Sequence, residues 1–335
     1  MNIILGKKAG FCGGVINSVN KSNELLDKYN DLYCLGEIVH NKQVVKSLED
    51  KGMTFVESLS EVNDGSNVVI RAHGVPKSIY EEASKRNINL FDLTCPKVLL
   101  IHKEAEDLVK DGYYIILVGK KDHPEIIGTI SYCNEDSLII ESQQDVDYVV
   151  EFVLNKGFKK VALLCQTTYS LSKFKEIEEM LKKEFKDLDF KIINTICNAT
   201  ELRQKETEEL SKEVDAMIII GGKNSSNTKK LYEIASSNTK TYLIETVEEL
   251  DESIFEYENV GVMAGASTPK ESIDDVIAYL NNRKLWLSLE ICMIEFEWIL
   301  SFLWYNFNVE RELRNGKRIK TGRERKVATY CIWKC

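Results

Sequence analysis

Gly10-Phe11-Cys12-Gly13-Gly14 sets a cysteine between glycines. It follows the short apolar run Ile3-Ile4-Leu5 and precedes an apolar pattern at helical spacing, Val15, Ile16, Val19, Leu25 and Leu26. The stretch reads as strand, tight turn and helix, with the thiol at the start of the helix. Glycine permits positive φ and close backbone approach. A thiol at a helix N-terminus faces unpaired N–H groups and the positive dipole end, which favour its thiolate. A lone cysteine in such a turn is more often packing than chemistry, so the reading depends on whether the arrangement recurs.

It recurs twice. Thr94-Cys95-Pro96-Lys97 and Ile196-Cys197-Asn198-Ala199-Thr200 also open helical stretches. Six apolar runs end in loops of small and polar residues. Those at 33–35, 68–70 and 114–118 lead to His40-Asn41, His73-Gly74 and His123-Pro124-Glu125; those at 161–165, 217–220 and 260–264 lead to Gln166-Thr167-Thr168, Ser225-Ser226-Asn227 and Ser267-Thr268. Continuous apolar runs bounded in this way read as buried parallel strands. Helical patterns lie between them, as at 98–109, 174–185 and 273–280, so the chain is α/β. Each cysteine with its two loops occupies roughly a hundred residues, about one small domain. The expectation is three similar α/β units, each giving one cysteine and two strand-end loops to a shared centre, because ligands bind outside the carboxyl ends of parallel strands. All four prolines, Pro76, Pro96, Pro124 and Pro269, fall in or beside these loops, where a stiffened turn is tolerated.

At 335 residues, 44% hydrophobic and 29% charged, the chain has an ordinary soluble composition with room for several domains. It begins without a signal-peptide pattern, and no apolar run reaches the roughly 20 residues of a membrane-spanning helix. Nine cysteines without a secretory signal point to a reducing cytoplasm and to metal binding rather than disulfides. The net charge of −9 is unevenly spread: residues 283–335 hold 11 Lys and Arg against 6 Asp and Glu, with all four tryptophans. The acidic body argues against nucleic acid as its primary partner.

The absence of a CxxC spacing argues against a zinc ribbon or a ferredoxin-type run. Three thiolates converging from three units can hold zinc, or an iron–sulfur cluster with one iron not bound to protein. An open metal position can bind and polarise a substrate oxygen. Cys34, Cys133, Cys165, Cys292, Cys331 and Cys335 read as buried or incidental. His40, His73 and His123 occupy equivalent loops, where an imidazolium donates hydrogen bonds to an anion; His102, inside a helix, reads as structural or solvated. Ser225-Ser226-Asn227-Thr228 opens a helix after a strand and offers N–H groups and hydroxyls to an anion, though it does not fit the P-loop pattern. In Ser267-Thr268-Pro269-Lys270-Glu271, Thr268, Pro269 and Glu271 form a capping box, leaving Ser267 to face a ligand. Glu125 can reach the same centre as Thr167 and Thr168, and in a dry site its raised pKa suits a general acid.

Together these residues resemble the 4-hydroxy-3-methylbut-2-enyl diphosphate reductase family of the non-mevalonate isoprenoid pathway. The stretches that carry the resemblance are Gly10-Phe-Cys-Gly-Gly, Glu37-Ile-Val-His-Asn, Arg71-Ala-His-Gly-Val, Thr94-Cys-Pro, His123-Pro-Glu-Ile-Ile-Gly, Gln166-Thr-Thr, Thr195-Ile-Cys-Asn-Ala-Thr, Ser225-Ser-Asn-Thr and Gly265-Ala-Ser-Thr-Pro. One departure is Ser131, where the family pattern has glycine. The resemblance implies a trefoil of three small α/β domains with parallel-type sheets around a central, oxygen-sensitive iron–sulfur cluster. The domains would be 14–95, 96–193, and 1–13 with 194–282. A [4Fe-4S] cluster would be held by Cys12, Cys95 and Cys197, with one iron open to the substrate hydroxyl. The diphosphate would be bound by His40, His73, Ser225, Asn227 and Ser267, with Ser226 and Thr168 close by. Two electrons from ferredoxin or flavodoxin and two protons would remove the hydroxyl as water, leaving isopentenyl and dimethylallyl diphosphates. Glu125 would supply protons, with Thr167 and His123 positioning the hydroxyl.

The family pattern stops near Asn282. The segment 283–335 reads as an amphipathic membrane-surface stretch, a nucleic-acid patch, or, as we favour, a non-native end from a shifted reading frame or a disordered appendage. The rival class is a non-catalytic iron–sulfur or zinc protein that senses redox state or binds a phosphorylated metabolite. Glu125 and the Gln166-Thr167-Thr168 loop favour the enzyme, since a sensor needs no proton donor.

Overall fold

Each of the six apolar runs is a strand, and each is an inner strand of a sheet. The structure, a computed structural model, describes residues 1–283 and Ile299. In chain order its elements are β1 (Asn2–Leu5), α1 (Gly13–Leu26), β2 (Leu32–Leu35), α2 (Lys42–Glu49), β3 (Met53–Val56), β4 (Asn67–Ile70), α3 (Lys77–Lys85) and β5 (Asn89–Asp92). Then come α4 (Pro96–Lys110), β6 (Tyr114–Val118), α5 (Pro124–Ile130), β7 (Leu138–Ile140), α6 (Val146–Lys156), β8 (Lys160–Cys165), α7 (Leu171–Glu184) and β9 (Asp189–Ile192). The last are α8 (Asn198–Ser211), β10 (Ala216–Ile220), α9 (Ser226–Ser236), β11 (Lys240–Ile244) and β12 (Asn259–Ala264), after which a further helix starts at residue 270. The chain divides into two compact units, Met1–Ile277 and Ala278–Cys335. The readings offered for 283–335 fall, Arg283 and Ile299 apart, outside the described residues.

The strands form three four-stranded sheets, β3-β2-β4-β5, β7-β6-β8-β9 and β1-β12-β10-β11, and every pairing is parallel. The first two share one order, second-first-third-fourth. The third repeats it with β10, β11 and β12, and β1 takes the fourth place beside β12. In such sheets the strand order reverses between the first and third strands, and the crevice outside their carboxyl ends is where ligands bind. That crevice lies after β2 and β4, β6 and β8, and β10 and β12. The fourth strand of each sheet, β1, β5 or β9, leads into one of the three cysteines.

Inner strands are apolar throughout because both of their faces are covered. In β6, Tyr114, Ile116 and Val118 pack into one buried cluster with Phe174 and Leu181, while Ile115 and Leu117 pack into another with Ile101 and Ala105. Edge strands such as β9 (Asp-Phe-Lys-Ile) alternate between exposed and half-buried positions.

Two bridges hold pieces of this frame in place. The Glu206 carboxylate on α8 accepts the Lys7 and Lys8 N–H groups at 2.7 and 2.8 Å. Buried Arg203, one turn earlier, donates to the Lys8, Gly10 and Ala199 carbonyls. The segment between β1 and Cys12 is therefore clamped by the helix that Cys197 starts. Ser131, the departure from the family's glycine, accepts the Lys77 N–H at 3.0 Å and donates to the Gly128 carbonyl, joining the second sheet's unit to the first. Arg203→Leu strips three carbonyls of a charged donor, so urea unfolding is expected to show a loss of about 2–4 kcal/mol.

Candidate active site

The three cysteines are built into the fold in the same way. The Cys12 N–H donates to the Ala266 carbonyl at 3.0 Å, the Cys95 N–H to Ala72 at 2.9 Å and the Cys197 N–H to Thr167 at 3.0 Å. Each acceptor lies in the loop after the third strand of a sheet. Each cysteine is then the N-cap of its helix, α1, α4 or α8, in extended or near-extended backbone, and none spends its side chain on capping. The thiols are thus left to face the centre from three helix N-termini. A β-carbon added at Gly14 would lie 2.7 Å from Cys95 Sγ and 3.9 Å from Cys12 Sγ. Glycine there keeps open the space these sulfurs share. Burial pushes the Cys95 thiol up, and the Lys97 and Val98 N–H groups pull it back. All six described cysteines are free. Burial pushes Cys34 and Cys133 up to about 12 and holds Cys165 well above its ordinary value, so these three are inert packing thiols.

Soft thiols in this number, with no carboxylate among them, suit iron–sulfur or zinc chemistry. Arg203 stands beside Cys12 and Cys197 and would offset their charge. The donor set and the cradle at Gly14 fit a cluster.

In the same cavity His40, His73 and His123 converge. The His40 and His73 rings stack at 4.4 Å, and His123 meets both edge-on at 5.7 and 5.5 Å. Their ring nitrogens lie within 4.8 Å of one another, a spacing that also suits a metal ion. The hydrogen bonds argue for an anion instead. His123 caps α5 by accepting the Glu125 N–H on Nδ1 at 3.2 Å. Its neutral ring therefore carries the proton on Nε2 and is a donor, not a metal ligand. The His40 Nδ1 sits 3.3 Å from the Glu37 carboxylate. At His73 and His123 the expected imidazolium is disfavoured. Burial, then repulsion from His40, holds His73 well below its ordinary value and takes His123 down to about 3. Arg71, packed against Gly36, adds to both depressions and supplies fixed positive charge behind the rings.

Asn227 is 3% exposed, lines the cavity, and neither its amide oxygen nor its nitrogen has a partner. A buried amide left in that state is what a missing ligand leaves behind. Ser225 caps α9 by accepting the Thr228 N–H, so capping and ligand-facing roles coincide there. The capping box expected at Thr268 gives way to tertiary bonding. The Thr268 hydroxyl donates to the Ile220 carbonyl, and Ser267, expected to be uncommitted, donates to the His40 carbonyl at 3.2 Å. A β-carbon at Gly222 would fall 2.4 Å from that same carbonyl, so only glycine lets the first and third sheets' loops meet.

Glu125 is 2% exposed. Thr167 donates to it twice, from its N–H to Oε1 and from its hydroxyl to Oε2, both at 2.6 Å. Burial pushes the carboxyl up to about 7 against the pull of those two bonds. Thr168 and Ser226 line the same cavity beside Gln166. The cavity therefore brings together every candidate: Cys12, Cys95, Cys197, His40, His73, His123, Glu125, Thr167, Thr168, Ser225, Ser226, Asn227 and Ser267. His102 stays outside it, stacked on Tyr132 at 4.1 Å. Sequence reasoning missed Arg203, Arg71 and Gln166 as individual residues. Arg203 had a signal: Thr200, Arg203, Gln204 and Thr207 form a buried polar stripe on α8, where helices usually bury an apolar one.

Three parallel sheets thus bring three thiols, three histidines and a buried carboxyl to one cavity. The LytB protein family model matches residues 3–281, and the chain belongs to that family. Its members are iron–sulfur enzymes. The 4-hydroxy-3-methylbut-2-enyl diphosphate reductase of Clostridioides difficile is 38% identical over 284 residues, 84% of this chain and all of that one. Its namesake from Aquifex aeolicus is 40% identical over 282 residues, 82% of this chain and 94% of that one. Among solved structures, the E-1-hydroxy-2-methyl-but-2-enyl-4-diphosphate reductase of Plasmodium falciparum aligns with a TM-score of 0.78 at 33% identity, covering 84% of this chain and 87% of that one. Gly14→Ala, which fills the space between the sulfurs, is expected to cut the iron and labile sulfide of anaerobically purified protein while the metal-free chain unfolds within about 0.5 kcal/mol of the parent.

Proposed function

We propose that this chain reductively removes the hydroxyl of (E)-4-hydroxy-3-methylbut-2-enyl diphosphate to give isopentenyl and dimethylallyl diphosphates, the last step of the non-mevalonate pathway. The observation that carries the proposal is Glu125: a buried carboxyl, pushed up to about 7 by burial and so able to hold a proton near neutrality, in a cavity that also holds three thiols and three histidines. A sensor or a metabolite-binding module has no use for it.

Cys12, Cys95 and Cys197 would hold a [4Fe-4S] cluster, which when bound supplies electrons and a Lewis-acidic iron. The C–O bond breaks, two electrons and a proton make the new C–H bond, and a second proton leaves with the hydroxyl as water. The protein's own work is placement and proton supply. His40, His73, Ser225, Asn227 and Ser267 bind the diphosphate, with Ser226 and Thr168 beside them. Asn227 gives its free Nδ2–H, and His123 offers Nε2–H. Glu125 delivers a proton through or alongside the Thr167 hydroxyl, with which it shares a 2.6 Å bond. The substrate's hydroxyl is held next to that acid, so the proton travels a hydrogen-bond length rather than through bulk water. Ferredoxin or flavodoxin would deliver the electrons in a reducing cytoplasm. No helix among the described residues is long and apolar enough to cross a membrane. Each sheet with its helices would be one domain, 14–95, 96–193, and 1–13 with 194–282.

Glu125→Gln keeps the shape of the acid and loses its proton. With a strong chemical reductant, kcat is expected to fall by about 10²–10⁴ while cluster absorbance and substrate affinity hold; turnover at the parent rate would remove Glu125 from the mechanism. The pH dependence follows from the carboxyl's value of about 7. The proton donor is present below that value and is lost above it, so kcat should be level in mild acid and fall about tenfold per unit once pH passes 7. A stopped-assay profile of kcat against pH checks this.

A further inference from the structure

We infer that Gln166 is a positioning residue that sets the direction of the two hydroxyl protons, on Thr168 and Ser226, that the anion pocket offers its ligand. The inference rests on the diphosphate reading above. Gln166 directly follows β8 and is 1% exposed. Its Oε1 accepts the Lys120 N–H at 3.1 Å. A backbone N–H can only donate, so the amide cannot be turned the other way, and Nε2 must face the cavity side. From there Nε2 donates to Thr168 Oγ1 at 2.8 Å and, more weakly, to Ser226 Oγ at 3.5 Å. The first hydroxyl belongs to the second sheet's loop and the other to the start of α9, so one amide spans two sheets.

A hydroxyl oxygen that accepts from an amide keeps its own proton pointing elsewhere. Among the described residues neither hydroxyl has another partner, and both line the cavity. Their O–H bonds are therefore available to the ligand as donors. A phosphoryl oxygen bearing no proton is a pure acceptor and takes both. Without the amide, each rotor is free to show the ligand a lone pair, which a phosphoryl oxygen repels. Gln166 thus selects for unprotonated phosphoryl oxygen through these hydroxyls, and among the described residues its side chain makes no hydrogen bond to the thiols or to Glu125.

The test uses the cluster-loaded, full-length enzyme with Gln166→Met, Thr168→Val/Ser226→Ala, the triple variant that joins them, and Gln166→Glu. KM, kcat, the pH profile of kcat and inhibition by inorganic pyrophosphate are read for each. Gln166→Met is expected to raise KM and the pyrophosphate inhibition constant roughly tenfold, with kcat within about twofold and its pH midpoint unmoved. The triple variant should be no worse than Thr168→Val/Ser226→Ala, because the amide acts only through those hydroxyls. Gln166→Glu keeps the shape and the Lys120 bond but accepts from both hydroxyls, so its inhibition constant should rise about a hundredfold. Cluster absorbance serves as the check on folding, and Gln166→Glu carries the test if the methionine variant loses its cluster. Parent-like inhibition constants in both Gln166 variants, or losses that multiply in the triple variant, would overturn the role of Gln166 alone. A parent enzyme that pyrophosphate does not inhibit would overturn the diphosphate reading together with it.

Discussion

One backbone hydrogen bond, made three times, holds this site together. Each cysteine N–H is given to a carbonyl in the loop after a third strand: Ala266, Ala72 or Thr167. The bond couples two things the chemistry needs. It fixes the start of a helix, so that the thiol leaves the backbone toward the centre. It also fixes the loop whose next residues, Ser267, His73 and Thr168, line the cavity. The threefold pattern follows from one sheet order used three times, with the fourth strand of each sheet running into a cysteine. Because β1 completes the third sheet, the first thiol arrives from the opposite end of the chain, and Arg203 and Glu206 on α8 hold it there.

The electrostatics resolve an apparent conflict between an acidic protein and a multiply charged ligand. Burial, and after it His40, holds the other two imidazoles, His73 and His123, well below their ordinary value. In the proposed complex they would serve as oriented donors rather than as charges. Fixed positive charge comes from Arg71 behind the rings and from Arg203 beside the thiols, both protected from screening by burial. The same burial that discharges the histidines raises the Glu125 carboxyl to about 7. A single property of the cavity, the burial of these groups, would therefore set both the donors and the acid that the proposed reaction needs.

Much of this was legible in the residues. The six inner strands announced themselves as uninterrupted apolar runs, because strands covered on both faces carry no polar alternation. The outer strands β3, β5, β7, β9 and β11 did not: Asp189-Phe-Lys-Ile is short, half-exposed and indistinguishable from a loop by pattern. The cysteines, histidines and Glu125 were visible because their loops repeat. What a linear reading could not supply was pairing. Nothing local in Thr268 says that its hydroxyl prefers the Ile220 carbonyl to a capping role. Nothing local in Ser131 says that it meets the Lys77 N–H. The protonation of His73 depends on two rings that lie 33 and 50 residues away in sequence.

The central claim is that three distant sulfurs meet on one inorganic centre, and the most direct measurement is the iron and labile sulfide content of anaerobically purified protein and of single Cys→Ser variants. The account predicts a brown parent with one cluster per chain, loss of intact cluster on replacing Cys12, Cys95 or Cys197, and full retention on replacing Cys34, Cys133 or Cys165. A colourless zinc protein, or a complete cluster surviving the loss of one of the first three thiols, would contradict it.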